Sequence, residues 1–134
     1  MNTDLIDIKI RAVEGGVTAA AGFKAAGIHA GFRKNPERID YALVMPDKPC
    51  PGAGVFTTNR FCAAPVQVSR ANLGGADKGY GIIAGVSINS GNANAATGET
   101  GLACARETCN IASQVIGCEP QQILVASTGV IGQI

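Results

Sequence analysis

The amino-acid sequence predicts an α/β chain of the α+β type, a mostly antiparallel sheet packed against helices, on three observations. Short apolar runs bounded by Gly, Pro and Asn follow one another with no helix between most of them, as antiparallel strands do. A single clear helical pattern runs through Leu102, Ala105, Cys109, Ala112 and Ile116, whose spacings of three and four give one continuous apolar face. Glycine accounts for 18 of 134 residues, well above the usual share of about 7%, and that density implies many tight turns or close backbone approaches.

In chain order, residues 1–14 read as an extended lead-in with Ile6, Ile8 and Ile10 alternating against polar neighbours. Gly15 to Arg33 mixes small apolar residues with Gly and reads as two strands joined by a turn near Ala26–Gly27. Lys34–Arg38 is a polar loop, and Ile39–Met45 is a compact apolar run suited to a buried strand. Pro46, Pro49 and Pro51 argue against any regular element before Gly54. Val55–Thr58 and Pro65–Ser69 are strands by β-branched and aromatic content, with Ala71–Lys78 as a polar connection. Gly79–Ile88 reads as one core strand. Asn89–Gly98 is too rich in Asn and Gly for a packed strand or a stable helix. The helix follows, with Thr97 as N-cap, Glu99 in its first turn, Gly117 as its stop and Pro120 beyond. A last β-prone run, Ile123–Ala126, leads into Ser127–Gly129. No repeat, low-complexity tract or linker divides the chain, so residues 1–134 read as a single domain. The last residues, Gln133–Ile134, carry no terminating signal and read as the end of a cut chain, incomplete at the C-terminus.

Composition removes several function classes. Apolar residues make up 46% and charged residues 16%, a globular balance and not a disordered one. Eleven Lys and Arg against ten Asp and Glu leave a net charge of +1, and no basic face gathers them, which argues against a nucleic-acid partner. The acidic start lacks the h-region of a signal peptide, and no long apolar run spans a membrane. With five cysteines, an odd number without a C-x-x-C pair, the expected location is the cytoplasm, with the thiols reduced.

Two segments could carry chemistry. Ser127-Thr128-Gly129 lies at a strand end, where a Thr hydroxyl and adjacent backbone N–H groups can hold a developing oxyanion without reorganising; the tripeptide alone reads equally as an ordinary turn. Asn89–Gly98, ahead of a helix N-terminus, could cradle an anion or simply cap the helix, and it lacks the Gly-Lys-Ser/Thr of a Walker loop. His29 has no partner at motif spacing. Cys104 and Cys109 lie about 140° apart around a helix, a poor basis for a shared metal. Asp40 and Asp47 have no second carboxylate placed for acid-base work.

Several blocks, taken together, are specific. Gly22-Phe23-Lys24-Ala25-Ala26-Gly27-Ile28, Gly54-Val55-Phe56-Thr57-Thr58-Asn59, Ala64-Pro65-Val66, Asn89-Ser90-Gly91-Asn92-Ala93-Asn94-Ala95 with Thr97-Gly98, and Ser127-Thr128-Gly129-Val130-Ile131-Gly132 resemble, in order and spacing, the ornithine acetyltransferase (glutamate N-acetyltransferase) family. The resemblance implies the α-chain portion of a self-cleaving enzyme, in a layered sandwich of α/β/β/α type completed by the β chain. It implies transfer of the acetyl group of N-acetylornithine to glutamate through an acetyl-threonine, the nucleophilic Thr opening the β chain. Thr128 and Gly129 match the family's oxyanion hole; the nucleophile and the other substrate-binding residues match nothing before Ile134. The resemblance also implies an α2β2 assembly, no resident cofactor and no metal, with acetyl-CoA as a co-substrate in bifunctional members.

Two other readings compete. One is an N-terminal-nucleophile aminopeptidase of similar plan; the other is an anion- or nucleotide-binding domain that uses residues 89–98. The transferase reading expects the natural gene to continue past Ile134 through a Thr-containing cleavage motif. Reading the downstream frame checks this, and a stop codon there would end it.

Overall fold

Ala84 divides the long apolar run at 79–88 into two strands that enter different sheets. In the computed structural model, which describes residues 10–75 and 77–134, Tyr80–Ile83 (β4) pairs antiparallel with Cys50–Ala53 (β3) as a separate two-stranded sheet. Gly85–Asn92 (β5) instead lies inside a four-stranded sheet with Phe23–Ile28 (β1), Tyr41–Pro46 (β2) and Ile123–Val130 (β6), in the order β1-β2-β5-β6. The first two pairings are antiparallel and the last, β5 with β6, is parallel. A parallel neighbour needs a crossover, and the helix Gly98–Ile116 (α2) supplies it. With the shorter helix Ala64–Asn72 (α1), this is the expected α+β class, its sheet mixed through one parallel pair.

Both helices pack on one face of that sheet. The core joins Ala64 and Val68 of α1, Ala105, Cys109 and Ala112 of α2, and Ile123 and Val125 of β6, with Leu43, Leu102 and Ile116 against it. All five positions of the helical stripe read from the sequence are in that contact set, and Ile123 is fully buried. Alternation along β5 and β6 follows the pleat: Gly85, Ser87, Ile123 and Val125 are buried, while Val86, Ile88 and Leu124 between them are half-buried on the opposite face. Helix α2 ends as expected, with Gly117 in the left-handed region at φ 80° and its N–H donating to Ser113 O at 2.8 Å. Thr97 occupies the N-cap position, but its hydroxyl donates to Asn94 Oδ1 at 2.7 Å instead of capping the backbone.

Several expectations are corrected. Pro65–Ser69 is not a strand but the body of α1: Pro65 starts the helix with its fixed φ, and burial of Ala64 and Val68 against α2 and β6 overrides the β propensity of Val66 and Val68. Val55–Thr58 has no partner strand among the described residues and stays irregular, with Val55 fully exposed. Its turns are set by side chains, Asn59 N–H donating to Thr57 Oγ1 and Phe61 N–H to Asn59 Oδ1. Gly15 to Arg33 holds one strand, β1, preceded by a short 3-10 turn at Gly16–Ala19. Gly27 sits within β1, not at a turn, because a Cβ there would meet Ile39 Cγ2 at 2.9 Å. Cys50–Ala53 forms β3 despite Pro51, which a two-stranded edge tolerates. Ile39 is exposed, and the strand after it, β2, is half-buried. The lead-in strand falls on residues 1–9, outside the described residues, and Ile10 lies in no strand. No helix among the described residues is long and apolar enough to cross a membrane.

Among the described residues, strand β6 lies at the edge of its sheet, and α1 closes that edge. Ser69 Oγ donates to Val125 O at 2.8 Å and accepts from Val125 N–H at 2.9 Å. One buried hydroxyl thereby satisfies both backbone groups that an absent neighbour strand would have bonded. In the intact protein, Ser69→Ala is expected to cost about 1–3 kcal/mol, the cost of leaving buried polar groups unpaired. Urea unfolding checks this, with Ser69→Thr expected to retain most of the stability.

Candidate active site

The two segments singled out in the sequence lie side by side, and both begin as strand where a loop and a turn were expected: residues 89–92 end β5 and residues 127–130 end β6. Parallel pairing sets Asn89 opposite Ser127, Ser90 opposite Thr128 and Gly91 opposite Gly129, and a bulge then lets Asn92 face both Thr128 and Val130. Gly129 has φ 135° and Gly91 φ 128°, conformations that favour glycine. A Cβ on Gly129 would collide with the carbonyl carbon of Gly91 and lie 2.6 Å from the amide nitrogen of Asn92. Gly129 is thus required by the backbone of the other motif, while a Cβ on Gly91 would meet Phe32 and Arg33 instead.

Beyond the bulge, asparagines fasten the turn. Asn89 Nδ2 donates to Asn92 O at 2.8 Å, Asn92 Nδ2 to Gln133 O at 2.8 Å, and Asn94 N–H to Asn92 Oδ1 at 2.7 Å. Main-chain bonds run from Ala93 N–H to Val130 O at 2.9 Å and from Gly132 N–H to Ala95 O at 2.8 Å. Asn94 Nδ2 reaches Gly101 O on the first turn of α2 at 2.8 Å. Asn94 and Ala96 hold φ of 45° and 57° to make this possible. The side chains that an anion-binding reading of residues 89–98 would need are therefore engaged within the loop and with its neighbours. Among the described residues no buried side-chain N or O lacks a hydrogen-bond partner.

Thr128 and Gly129 lie on the exposed half of β6. A cavity of about 280 Å3 is bordered by Phe32, Tyr41, Asn89, Asn92, Thr108 and Ser127, the residue before Thr128. A second, of about 490 Å3, is bordered by Phe32, Lys34, Gly91, Asn92, Val130 and Gln133. Phe32 and Asn92 belong to both walls, while Thr128 and Gly129 line neither cavity.

Asp40, which has no second carboxylate placed for acid-base work, is a hub of hydrogen bonds instead. It is 2% exposed and accepts Ala30 N–H at 2.6 Å and Arg33 N–H at 2.8 Å. His29 Nδ1 lies 3.3 Å from its Oδ2 and 3.0 Å from Arg38 O; because a carbonyl only accepts, Nδ1 carries the proton of that contact. Burial pushes the Asp40 carboxyl up, but the amides of Ala30, Arg33 and Phe32 and the neighbouring His29 outweigh it and leave the pKa lowered. No sequence signal marks this role, because the donors are main-chain amides. Asp47 instead pairs with Lys24 at 2.8 Å on the surface. Cys109 is buried and its thiol is pushed up by burial, so it is a packed side chain and not a ready nucleophile. Among the described residues, no group of three or more His, Cys, Asp and Glu is placed to hold a metal.

Residues 24–134 match the ArgJ family. The chain belongs to that family. A bifunctional arginine-biosynthesis protein ArgJ from Dehalococcoides mccartyi is 44% identical over 120 residues, covering 89% of this chain and 28% of that protein. The ArgJ protein of Bifidobacterium longum is 48% identical over 119 residues, covering 88% and 29%. The chain thus spans less than a third of the length of these relatives. Among solved structures, the Bacillus halodurans ArgJ protein superposes with a TM-score of 0.80 at 34% identity, over 90% of this chain and 60% of that one. An ornithine acetyltransferase from Mycobacterium tuberculosis, solved with ornithine bound, gives 0.76 at 38% identity, over 88% and 61%.

The glycine contact generates a local test. Gly129→Ala is expected to force β5 and β6 apart where they meet, adding of order 1–3 kcal/mol of backbone strain before the clash is counted. Hydrogen exchange should then lose protection at residues 89–93 and 127–131, with the Ile123–Val125 half of β6 little changed; unaltered protection at Gly91 and Asn92 would contradict the packing.

Proposed function

We propose that this chain is the α-chain part of a glutamate N-acetyltransferase that moves the acetyl group of N2-acetylornithine to glutamate. Thr128 and Gly129 form its oxyanion hole, and the nucleophilic threonine lies on a β chain cut from the same precursor, in an α2β2 assembly. The observation that carries this reading is the Thr128–Gly129 pair itself, exposed near the end of β6 and fixed by backbone contacts with β5, in a chain similar to an ornithine acetyltransferase solved with ornithine bound. Residues 1–134 serve as one domain of the longer protein, in the cytoplasm, with no resident cofactor. Acetyl-CoA serves as a second acetyl donor if the enzyme is bifunctional, as several relatives are named.

The chemistry assigns each part a task. The threonine hydroxyl attacks the acetyl carbonyl carbon, and the carbonyl oxygen takes up negative charge. The Thr128 hydroxyl and the Gly129 N–H donate to that oxygen, and their rigid support means little reorganisation as charge develops. Collapse breaks the C–N bond; the ornithine amine leaves with a proton and the acetyl group stays as a threonine ester. The glutamate amine then attacks the ester, the oxyanion forms and collapses again, and the threonine hydroxyl is restored. An aminopeptidase of similar plan would hand the second step to water, so release of free acetate or amino acid without acetylglutamate would favour that reading. The nucleotide-binding alternative is disfavoured by the internal bonding of Asn92, Asn94 and Thr97.

In the full-length enzyme, Thr128→Ala is expected to lower kcat by about 100-fold or more, the usual loss for one oxyanion donor, with KM changed far less. Steady-state assays of acetyl transfer check this. Unchanged turnover would reject the role of Thr128.

A further inference from the structure

We infer that Asp40 is a positioning residue for the Thr128–Gly129 pair: its carboxylate pins the loop at 30–33, and that loop holds the end of β5 against which this end of β6 is laid. The inference rests on the oxyanion reading proposed above. Each link in it is a contact in the structure. Asp40 fixes the loop through the N–H groups of Ala30 and Arg33, at 2.6 and 2.8 Å. Its own carbonyl accepts the N–H of Ser90 at 2.8 Å. Arg33 completes the triangle, its Nη2 donating to Ser90 Oγ at 2.7 Å. Phe32 sits on the next residue, for a Cβ on Gly91 would lie 3.0 Å from Phe32 O and 3.1 Å from Phe32 Cβ. Ser90 faces Thr128, and Gly91 touches Gly129 through the backbone.

The rest of the fold explains why this grip matters for the pair more than for overall stability. The first half of β6 is secured elsewhere, with Ile123 and Val125 in the core and Ser69 bonded to Val125. The half carrying Thr128 and Gly129 is exposed, so its position depends on β5 and on what holds β5. A carboxylate suits the task because both oxygens only accept and both face amide donors. An amide in its place would aim an NH2 group at one of those N–H groups and release that end of the loop. His29 lines neither cavity, so its contact with Asp40 orients the loop and offers no proton relay to the pair.

The test compares Asp40→Asn, Arg33→Met and Thr128→Ala in the full-length enzyme, singly and as the Asp40→Asn/Thr128→Ala pair. Asp40→Asn is expected to lower kcat about 10-fold with KM within about threefold, the signature of an interaction felt in the transition state. On the Thr128→Ala background the same change should lower kcat less than about twofold, because residues acting as a unit are non-additive. Independent, additive losses would overturn the inference, as would a fall in thermal stability without a fall in kcat. Should Asp40→Asn not fold, Arg33→Met decides: kcat is expected to drop about threefold at unchanged thermal stability, roughly 0.65 kcal/mol by the tenfold-per-1.36 relation, and unchanged kcat overturns the inference. A damaging Thr128→Ala beside a silent Asp40→Asn rejects this inference alone. A silent Thr128→Ala rejects the oxyanion reading and the route through the pair together.

Discussion

Two glycine backbones in contact are the constraint around which this structure is arranged. Gly91 and Gly129 meet across the parallel pair with no room for a Cβ on the second. Close approach of that kind brings the amides of one strand end beside the other. It also leaves the strands unable to continue in a regular ladder, and the bulge at Asn92 follows. From there the chain needs a substitute for ladder bonds, which explains the density of asparagine. Short amide side chains on residues 89, 92 and 94 donate to main-chain carbonyls of Asn92, Gln133 and Gly101, tying the strand ends to one another and to α2. An Asn/Gly-rich sequence that suggests a ligand loop is therefore first of all the mechanical consequence of joining two strand ends.

Support for this joint comes from opposite directions. On the helical side, Asn94 and Thr97 bond to each other and Asn94 reaches Gly101, whose missing side chain leaves space that Thr97 Oγ1 and Asn94 Oδ1 occupy. On the loop side, Asp40 organises residues 29–33 and sends Arg33 to Ser90. Both supports converge on the last residues of β5 and not on β6. Strand β6 is anchored at its beginning by apolar burial and left open at its end. That division of labour, a strand rooted in the core whose tip is steered by its neighbour, is what a site needing precise donors on a solvent-accessible rim requires.

Parts of this arrangement were legible in the sequence. The stripe from Leu102 to Ile116 read as a helix because five residues obey one period over four turns and Gly117 ends them. The start of β6 was legible for the same local reason, a β-branched run; its continuation through Thr128–Gly129 to Val130, where the sequence read as a turn, was not, because it depends on pairing with β5. Helix α1 was not, because a nine-residue helix carrying Val66 and Val68 has strand propensity, and only contact with α2 and β6 decides it. The split at Ala84 and the irregular path at Val55 were hidden likewise, since each depends on whether a partner strand exists. Asp40 was invisible as a hub because its partners at residues 30 and 33 are main-chain amides, which every sequence possesses and no sequence advertises.

The hydroxyl of Ser69 has a bearing on solubility. An edge strand normally presents a row of open peptide groups on which another molecule's strand can add, the first event in sheet-to-sheet aggregation. Here the row is interrupted at Val125, where both groups are already occupied by a side chain from α1. A foreign strand could not zip along β6 from its buried end without first expelling a helix, so any such association is confined to the rim beyond residue 126. The same plug that completes a domain's edge thus also serves as a barrier to polymerisation.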